Sequence, residues 1–118
     1  MKQEDKELLL KDLCARLPYG VKIQVPYEDG SGYFDEIVWE VNNDGPFHVN
    51  GWGIEYEYVK PYLFPLSSIT KKTLEELSAY IDIKNAYVAV EFFNSHHIDY
   101  RGLIEKGLAI DATGLNIY

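Results

Sequence analysis

The apolar residues of this chain change from the period of a helix to the period of a strand within the first 27 residues. Those at helical spacing are Leu10, Leu13, Cys14 and Leu17. They predict an amphipathic helix over residues 3–16, which Pro18 and Gly20 should end. Residues 21–27 then alternate between apolar and polar side chains, as in a half-buried strand.

Two turns divide the middle of the chain into further strands. Glycine and acidic residues at 28–32 predict a turn, and the alternating residues that follow, 35–41, predict a hairpin with 21–27. A second turn at 42–46 leads to another alternating segment, 54–59. Together the three alternating segments predict an antiparallel meander.

The next part of the chain predicts an extended segment and a helix. Pro61 and Pro65 disfavour regular strand pairing, so residues 60–66 should run extended. A helix capped by Ser68 or Thr70 should follow. Its buried stripe consists of Leu74, Leu77 and Ile81.

Three shorter segments complete the chain. Residues 85–93 could form a helix capped by Asn85 or a strand, because they are rich in β-branched and aromatic side chains, and we favour the helix. Residues 103–107 predict one helical turn ended by glycine, and 109–118 either add a strand or lie irregularly on the surface. We therefore expect a single α+β domain, 1–118, with an N-terminal helix, a three-stranded antiparallel β-meander and C-terminal helices packed on one face of the sheet.

The net charge of -8 is concentrated in the middle of the chain. Between Ile23 and Val59 there are eight acidic residues and no Lys or Arg, so the remaining acidic residues balance the basic ones. The eight are Glu28, Asp29, Asp35, Glu36, Glu40, Asp44, Glu55 and Glu57. Proteins that bind the phosphate backbone use clustered Lys and Arg, so we do not expect nucleic acid to be a direct ligand.

Strand alternation would place four of these carboxylates on one face of the sheet, opposite Trp39, Tyr56 and Tyr58. The four are Glu36, Glu40, Glu55 and Glu57. Such a face could simply be solvated, could hold a divalent cation, or could attract a basic protein partner. A solvated face is the simplest interpretation, and the function that we assign to these four residues is binding of a basic protein partner.

The loop 46–53 adds aromatic and polar groups next to the acidic segment. Its candidate binding residues are Phe47, His48 and Trp52. Their composition suits a recognition loop on a rigid sheet, although the glycines between them could mark a bulge and the rings could close the core. The sequence thus predicts a non-enzymatic protein-binding or accessory protein that uses the acidic face and this loop.

The densest cluster of chemically capable side chains is His96, His97 and Asp99. An alternative function is therefore a metal-dependent hydrolase in which these residues act through a metal-activated water. On a helix His96 and Asp99 would share a face but His97 would not, so a solvated helix end with local capping is the simpler interpretation. Arg101 would then pair with Asp99 or with a nearby glutamate. We assign no catalytic residue, metal or cofactor.

Cys14 belongs to the apolar helical stripe, which indicates a buried structural cysteine rather than a nucleophile. A single cysteine forms no intramolecular disulfide, and charges interrupt the N-terminal leucines where a signal peptide needs an apolar core. No apolar run approaches the roughly 20 residues of a membrane span. These features favour a cytoplasmic protein without membrane association. A homodimer formed through an apolar patch at Val38 and Val59 is a further alternative.

Both ends of the chain carry long, specific strings. They are 2–19, 59–70 (VKPYLFPLSSIT) and 94–110 (NSHHIDYRGLIEKGLAI). These strings resemble an uncharacterised family of small acidic proteins from gut anaerobic bacteria and their phages and mobile elements. The resemblance implies a bacterial, phage-related cytoplasmic setting, and it carries over no activity, cofactor or site residue.

Overall fold

The computed structural model describes residues 2–27, 29–38, 40–42, 45–47, 58–69, 75 and 86–118. Within them the helices are α1 (Gln3–Arg16) and α2 (Ala86–Ser95). The strands are β1 (Lys22–Pro26), β2 (Tyr33–Ile37), β3 (Glu40–Asn42), β4 (Gly45–Phe47), β5 (Lys60–Pro65), β6 (Ile98–Asp99) and β7 (Ile110–Asp111). Short 3₁₀ helices lie at Leu17–Tyr19 and Leu66–Ser68. The predicted α+β class is confirmed.

The predicted N-terminal helix and its end are also confirmed. α1 stops at Arg16, a 3₁₀ turn that contains Pro18 follows, and Gly20 adopts a left-handed conformation with φ of 68°. The backbone N–H of Gly20 donates to the carbonyl of Leu17 at 3.5 Å. A left-handed residue at this point is most easily a glycine, and it turns the chain from the helix into β1.

The buried face of α1 differs from the predicted stripe. The fully buried residues of α1 are Leu9, Asp12, Leu13 and Arg16. Leu10 is only partly buried and Cys14 is exposed, so the expectation of a buried cysteine is wrong. The run of leucines at 8–10 fits two adjacent stripes equally well, and the buried stripe is the one that also contains Asp12 and Arg16.

The predicted hairpin of the first two strands is confirmed, but its second strand is Tyr33–Ile37 and not 35–41, because Glu40 and Val41 pair with β4 in a separate sheet. β1 and β2 pair antiparallel, with Ile23 opposite Glu36. The N–H of Tyr27 donates to the carbonyl of Gly32 at 2.9 Å and closes the turn between them. β3 and β4 form a second, two-stranded sheet, so Asn42, Gly45 and Pro46 of the turn predicted at 42–46 are strand residues.

The antiparallel three-stranded meander is not what forms, because the main sheet has five strands and is mixed. β5 pairs antiparallel with β1 and parallel with β6 and β7. The prolines of β5 do not prevent this pairing. In the β1–β2 register the backbone N–H and C=O of Ile23 point toward β2. Ile23 therefore lies opposite Pro61 without needing a hydrogen bond from a proline N–H. Pro65 is the last residue of β5.

Two sequence predictions fall largely outside the described residues. These are the third meander strand, of which Tyr58 and Val59 are described and lie before β5, and the helix with Leu74, Leu77 and Ile81. The placement of the third strand and of that helix therefore stays a prediction.

The last third of the chain matches the predicted elements more closely. α2 is a helix, as favoured for 85–93, and it packs against α1 and β6. At the predicted turn, Leu108 N–H donates to Leu103 O at 2.9 Å and Gly107 N–H to Ile104 O at 3.0 Å. With φ of 74° at Gly107, this is the pattern that ends a helical turn with glycine. The tail adds the short strand β7.

One hydrophobic core lies between α1 and the inner face of the sheet. Its buried members are Leu9, Leu13, Val21, Ile23, Val25, Val38, Val59, Leu63, Leu103, Leu108 and Ala109. Neither α1 nor any other helical stretch among the described residues has the length and apolar composition needed to cross a bilayer.

Candidate functional site

The predicted binding residues are only partly within the described structure. Glu36 lies in β2, and the backbones of Glu40 and Phe47 lie in β3 and β4. The remaining predicted binding residues, His48, Trp52, Glu55 and Glu57, lie outside the described residues. The acidic face and the aromatic loop therefore stay predictions.

Glu36 lies on the inner face of the sheet and not on a fully solvated acidic face. It is directly opposite Ile23, which is fully buried, and opposed residues of antiparallel strands point to the same side. Glu36 itself is partly buried, whereas the neighbouring Asp35 is exposed on the other side of β2. Alternation separated the two faces, but only the position of α1 decided which face is covered.

The opposite side of β1 and β2, with the residues just before and at the start of β5, faces solvent. We call it the outer sheet face, and it consists of Lys22, Gln24, Pro26, Tyr33, Asp35, Ile37, Tyr58 and Lys60. Tyr33, Tyr58 and Ile37 are its large exposed side chains. A cavity of about 230 Å³ is lined by Gln24, Pro26, Tyr33, Tyr58 and Lys60. A second, of about 300 Å³, is lined by Lys22, Asp35, Glu36, Ile37 and Ile117.

A buried tyrosine fixes Asp35 on the outer sheet face. The hydroxyl of Tyr62 in β5 donates to Oδ1 of Asp35 at 2.5 Å, and Nε2 of Gln24 donates to the same hydroxyl at 3.2 Å. Burial and the hydrogen bond to Asp35 raise the pKa of the Tyr62 hydroxyl. Tyr62 is therefore a protonated donor at neutral pH, and the carboxylate of Asp35 is held in one orientation.

The structure does not bring His96, His97 and Asp99 into one site. α2 ends at Ser95, so these residues are not on a helix, and Asp99 lies in β6. Nδ1 of His96 is 2.9 Å from the carbonyl oxygen of Phe92, and the two rings stack with centroids 4.1 Å apart. In the part of the chain that the structure describes, no group of three His, Cys, Asp or Glu residues could hold a metal ion.

Asp99 instead caps the turn that follows it. Its Oδ1 accepts a hydrogen bond from the N–H of Leu103 at 3.0 Å, and its Oδ2 accepts one from Ile104 at 2.9 Å. Arg101, expected to pair with Asp99 or a glutamate, donates to Oδ1 of Asp12 at 2.7 Å. The two oxygens of Asp99 are thus used to order the backbone.

A buried network of Asp12, Arg16 and Arg101 was missed by the sequence analysis. Nε of Arg16 donates to Oδ2 of Asp12 at 2.8 Å, and Nη2 donates to the carbonyl of Ile98 at 2.6 Å. Both guanidinium groups also lie over the ring of Tyr100, at 5.3 Å for Arg16 and 4.4 Å for Arg101. The four-residue spacing of Asp12 and Arg16 on a helix was the available signal, but that spacing is commonest on exposed surfaces.

His97 and Tyr118 form a stacked pair with centroids 3.7 Å apart and planes at 11°. The hydroxyl of Tyr118 donates to the carbonyl of Tyr62 and accepts from the N–H of Lys22, both at 2.8 Å. His97 is buried, and its Nδ1 has no hydrogen-bond partner among the described residues. Burial, followed by the charge of Arg16, lowers the pKa of His97 to about 4, and burial raises the pKa of Tyr118 to about 12. At neutral pH both rings are uncharged and pack the tail onto the sheet.

The apolar patch considered for a homodimer is not exposed. Val38 and Val59 are each 1% exposed and belong to the core. These two side chains are therefore not available to an interface, because they are already covered within one chain, and the homodimer itself stays a prediction.

The described side chains thus divide into an internal set and a solvent-facing set. Asp12, Arg16, Asp99 and Tyr118 have internal partners that stabilise the fold. The outer sheet face presents tyrosines, an isoleucine and a fixed carboxylate, which is chemistry suited to recognition. No protein-family model, curated protein or solved structure matches this chain.

Proposed function

We propose that the protein is a non-enzymatic binding or accessory protein that recognises a basic protein partner through the outer sheet face together with the predicted acidic and aromatic residues. The observation that carries the proposal is the exposure of Tyr33 (64%) and Tyr58 (57%), which line the same cavity. Tyrosine offers a large, rigid contact area with a polar tip, and it is enriched in protein interfaces and their hot spots.

The acidic middle of the chain supports the choice of a basic partner, although the outer sheet face itself carries Lys22 and Lys60 besides Asp35. All of the net negative charge arises between Ile23 and Val59, the part of the chain that supplies β2 and most of the outer sheet face. Asp35 is exposed there and is held by Tyr62. Complementary charge raises the rate of encounter and rejects wrong partners. The resemblance of the chain ends implies a bacterial or phage-related setting for such a partner.

The described geometry gives the two alternative functions less support. A hydrolase needs His96, His97 and Asp99 to converge, and these residues have separate neighbours. A structural homo-oligomer needs an exposed self-complementary patch, and Val38 and Val59 are buried.

Affinity co-purification from native cells tests the binding surface. The test variant is Tyr33→Ser/Tyr58→Ser, and the matched control is Leu66→Ser/Leu115→Ser, which removes two comparably exposed apolar residues elsewhere. We expect a stoichiometric partner with wild type and control, and binding weaker by about ten-fold or more with the test variant. Equal capture by both variants, or capture by none of the three proteins, would contradict the proposal.

A second set of substitutions tests the acidic residues. It combines Glu40→Gln, Glu55→Gln and Glu57→Gln, and it leaves out Glu36 because that residue lies on the inner face of the sheet. If these carboxylates attract the partner, the wild-type complex should weaken with rising salt and the substituted protein should lose most of that dependence.

A further inference from the structure

β2 is an edge strand of the main sheet. β1 pairs with one side of it, and no other strand of the described residues pairs with its second side. The N–H of Val38 donates to the carbonyl of Val21, and the N–H of Tyr27 donates to that of Gly32. In an antiparallel pair, hydrogen-bonded and non-hydrogen-bonded residue pairs alternate. These two bonds therefore fix which residues of β2 bond to β1.

The same alternation fixes which backbone groups point away from β1. They belong to Tyr33, Asp35 and Ile37, which occupy the non-hydrogen-bonded positions of the β1–β2 register. The side chains of all three are exposed on the outer sheet face. The edge therefore presents a row of donors and acceptors beside three accessible side chains, which is the arrangement that accepts an added strand.

Charge narrows the kind of strand that fits. β2 contains Asp35 and Glu36 and no basic residue. Pairing with a second copy of β2 centred on either residue would set two identical carboxylates opposite each other, and like charges in that position are destabilising. Asp35 keeps its orientation because Tyr62 donates to one of its oxygens. A strand with a cation opposite Asp35 makes the favourable cross-strand pair.

We propose, on the basis of the proposed function, that the edge of β2 binds an extended basic segment of the partner as an added strand. A lysine or arginine of that segment lies opposite Asp35. Residues two positions to either side of it are apolar, because they face Tyr33 and Ile37 on the same side of the sheet.

Backbone NMR with a synthetic peptide tests this mode of binding. The probe is a capped peptide of about seven residues, the length of a typical strand, with the central order valine, threonine, lysine, threonine, valine. In the free protein the amides of Tyr33, Asp35 and Ile37 should exchange rapidly with solvent. The peptide should slow the exchange of these three amides. Methylation of the lysine backbone nitrogen should abolish this protection, because the lysine N–H donates to the backbone carbonyl of Asp35.

Charge variants test the register. Asp35→Asn should weaken binding of the lysine peptide by up to about five-fold, the range of a cross-strand ion pair. The matched control Asp111→Asn removes the same charge from β7 and should leave binding unchanged. A peptide with glutamate in place of lysine should bind wild type more weakly, and Asp35→Asn should reduce that difference.

Three outcomes would overturn the inference. The first is slow amide exchange at Tyr33, Asp35 and Ile37 in the free protein, which would mean that the edge is already paired. The second is undiminished binding of the methylated peptide. The third is binding that shifts the side-chain signals of Tyr33 and Tyr58 without protecting these amides, in which case the outer sheet face is still a binding surface and strand addition is wrong.

Discussion

Arg16 and Asp12, one turn apart on α1, pair inside the core with Nε 2.8 Å from Oδ2 and no solvent exposure of either side chain. Arg101 contacts the second oxygen of Asp12 at 2.7 Å. Because Arg16 also donates to the carbonyl of Ile98, the pair joins α1 to β6. The desolvation cost of burying these charges is offset only when their ion pairs and hydrogen bonds are complete. Removing one charged side chain should therefore lower the free energy of unfolding by more than the intact pair contributes to it.

Arg16→Met should destabilise the protein by about 3–5 kcal/mol, because it leaves the buried carboxylate of Asp12 with one cation fewer. Urea unfolding at pH 7 measures this free energy. Lys11→Met, on the exposed side of the same helix, is the control and should change stability by less than about 0.5 kcal/mol. Similar losses in the two variants would contradict the buried network.

Asp99→Ala should destabilise the protein by about 2 kcal/mol, because the N–H groups of Leu103 and Ile104 lose their charged acceptor. Asp99→Asn keeps one acceptor oxygen and should cost less. Thermal unfolding measures both. Repeating the scans with Zn²⁺ examines the hydrolase alternative, since a metal that stabilises wild type but neither variant would mean that Asp99 is a ligand and not a cap.

His97 should make the protein less stable in acid. Its pKa falls from the usual 6.5 in the unfolded chain to about 4 in the folded state, chiefly through burial. The unfolded state therefore binds the proton more tightly. The free energy of unfolding therefore has its full value above pH 6.5, the pKa of histidine in the unfolded chain. It should fall by about 1–3 kcal/mol as the pH decreases from 6.5 toward 4.

Denaturant unfolding of wild type and His97→Phe across that pH range isolates this contribution, because phenylalanine keeps the stacking on Tyr118 without titrating. Carboxylates affect both proteins alike, so the difference between the two curves is the informative quantity. His96→Gln retains His97 and serves as the control. Parallel curves for wild type and His97→Phe would show that burial of the imidazole does not shift its titration.

Tyr118→Phe should cost about 1–2 kcal/mol, because the N–H of Lys22 and the carbonyl of Tyr62 lose the hydroxyl between them. Amide exchange at Lys22 should accelerate in the variant. Tyr33→Phe removes an exposed hydroxyl and should change neither quantity. Unchanged exchange at Lys22 in Tyr118→Phe would contradict the docking of the tail.

Sequence patterns over a few residues correctly predicted the helix and the hairpin whose formation depends on residues close together in the chain. Helical spacing and the Pro18–Gly20 stop were enough for α1, and alternation with turn residues was enough for the β1–β2 hairpin. The pairing of β5 was not predictable in this way. Pro61 argues against a strand unless its register is known, and that register depends on β1, more than thirty residues earlier.

For the candidate site, too, some features were predictable from the sequence and others depended on contacts between distant segments. The sequence by itself determined where the negative charge lies and that Asp35 and Glu36 point to opposite sides of one strand, because alternation follows from backbone geometry alone. Only the tertiary structure decided that α1 covers the side of Glu36, that Asp12 and Arg16 are buried, and that His96, His97 and Asp99 have separate neighbours. Burial and long-range pairing arise from contacts between distant segments, and neither leaves a period in the local sequence.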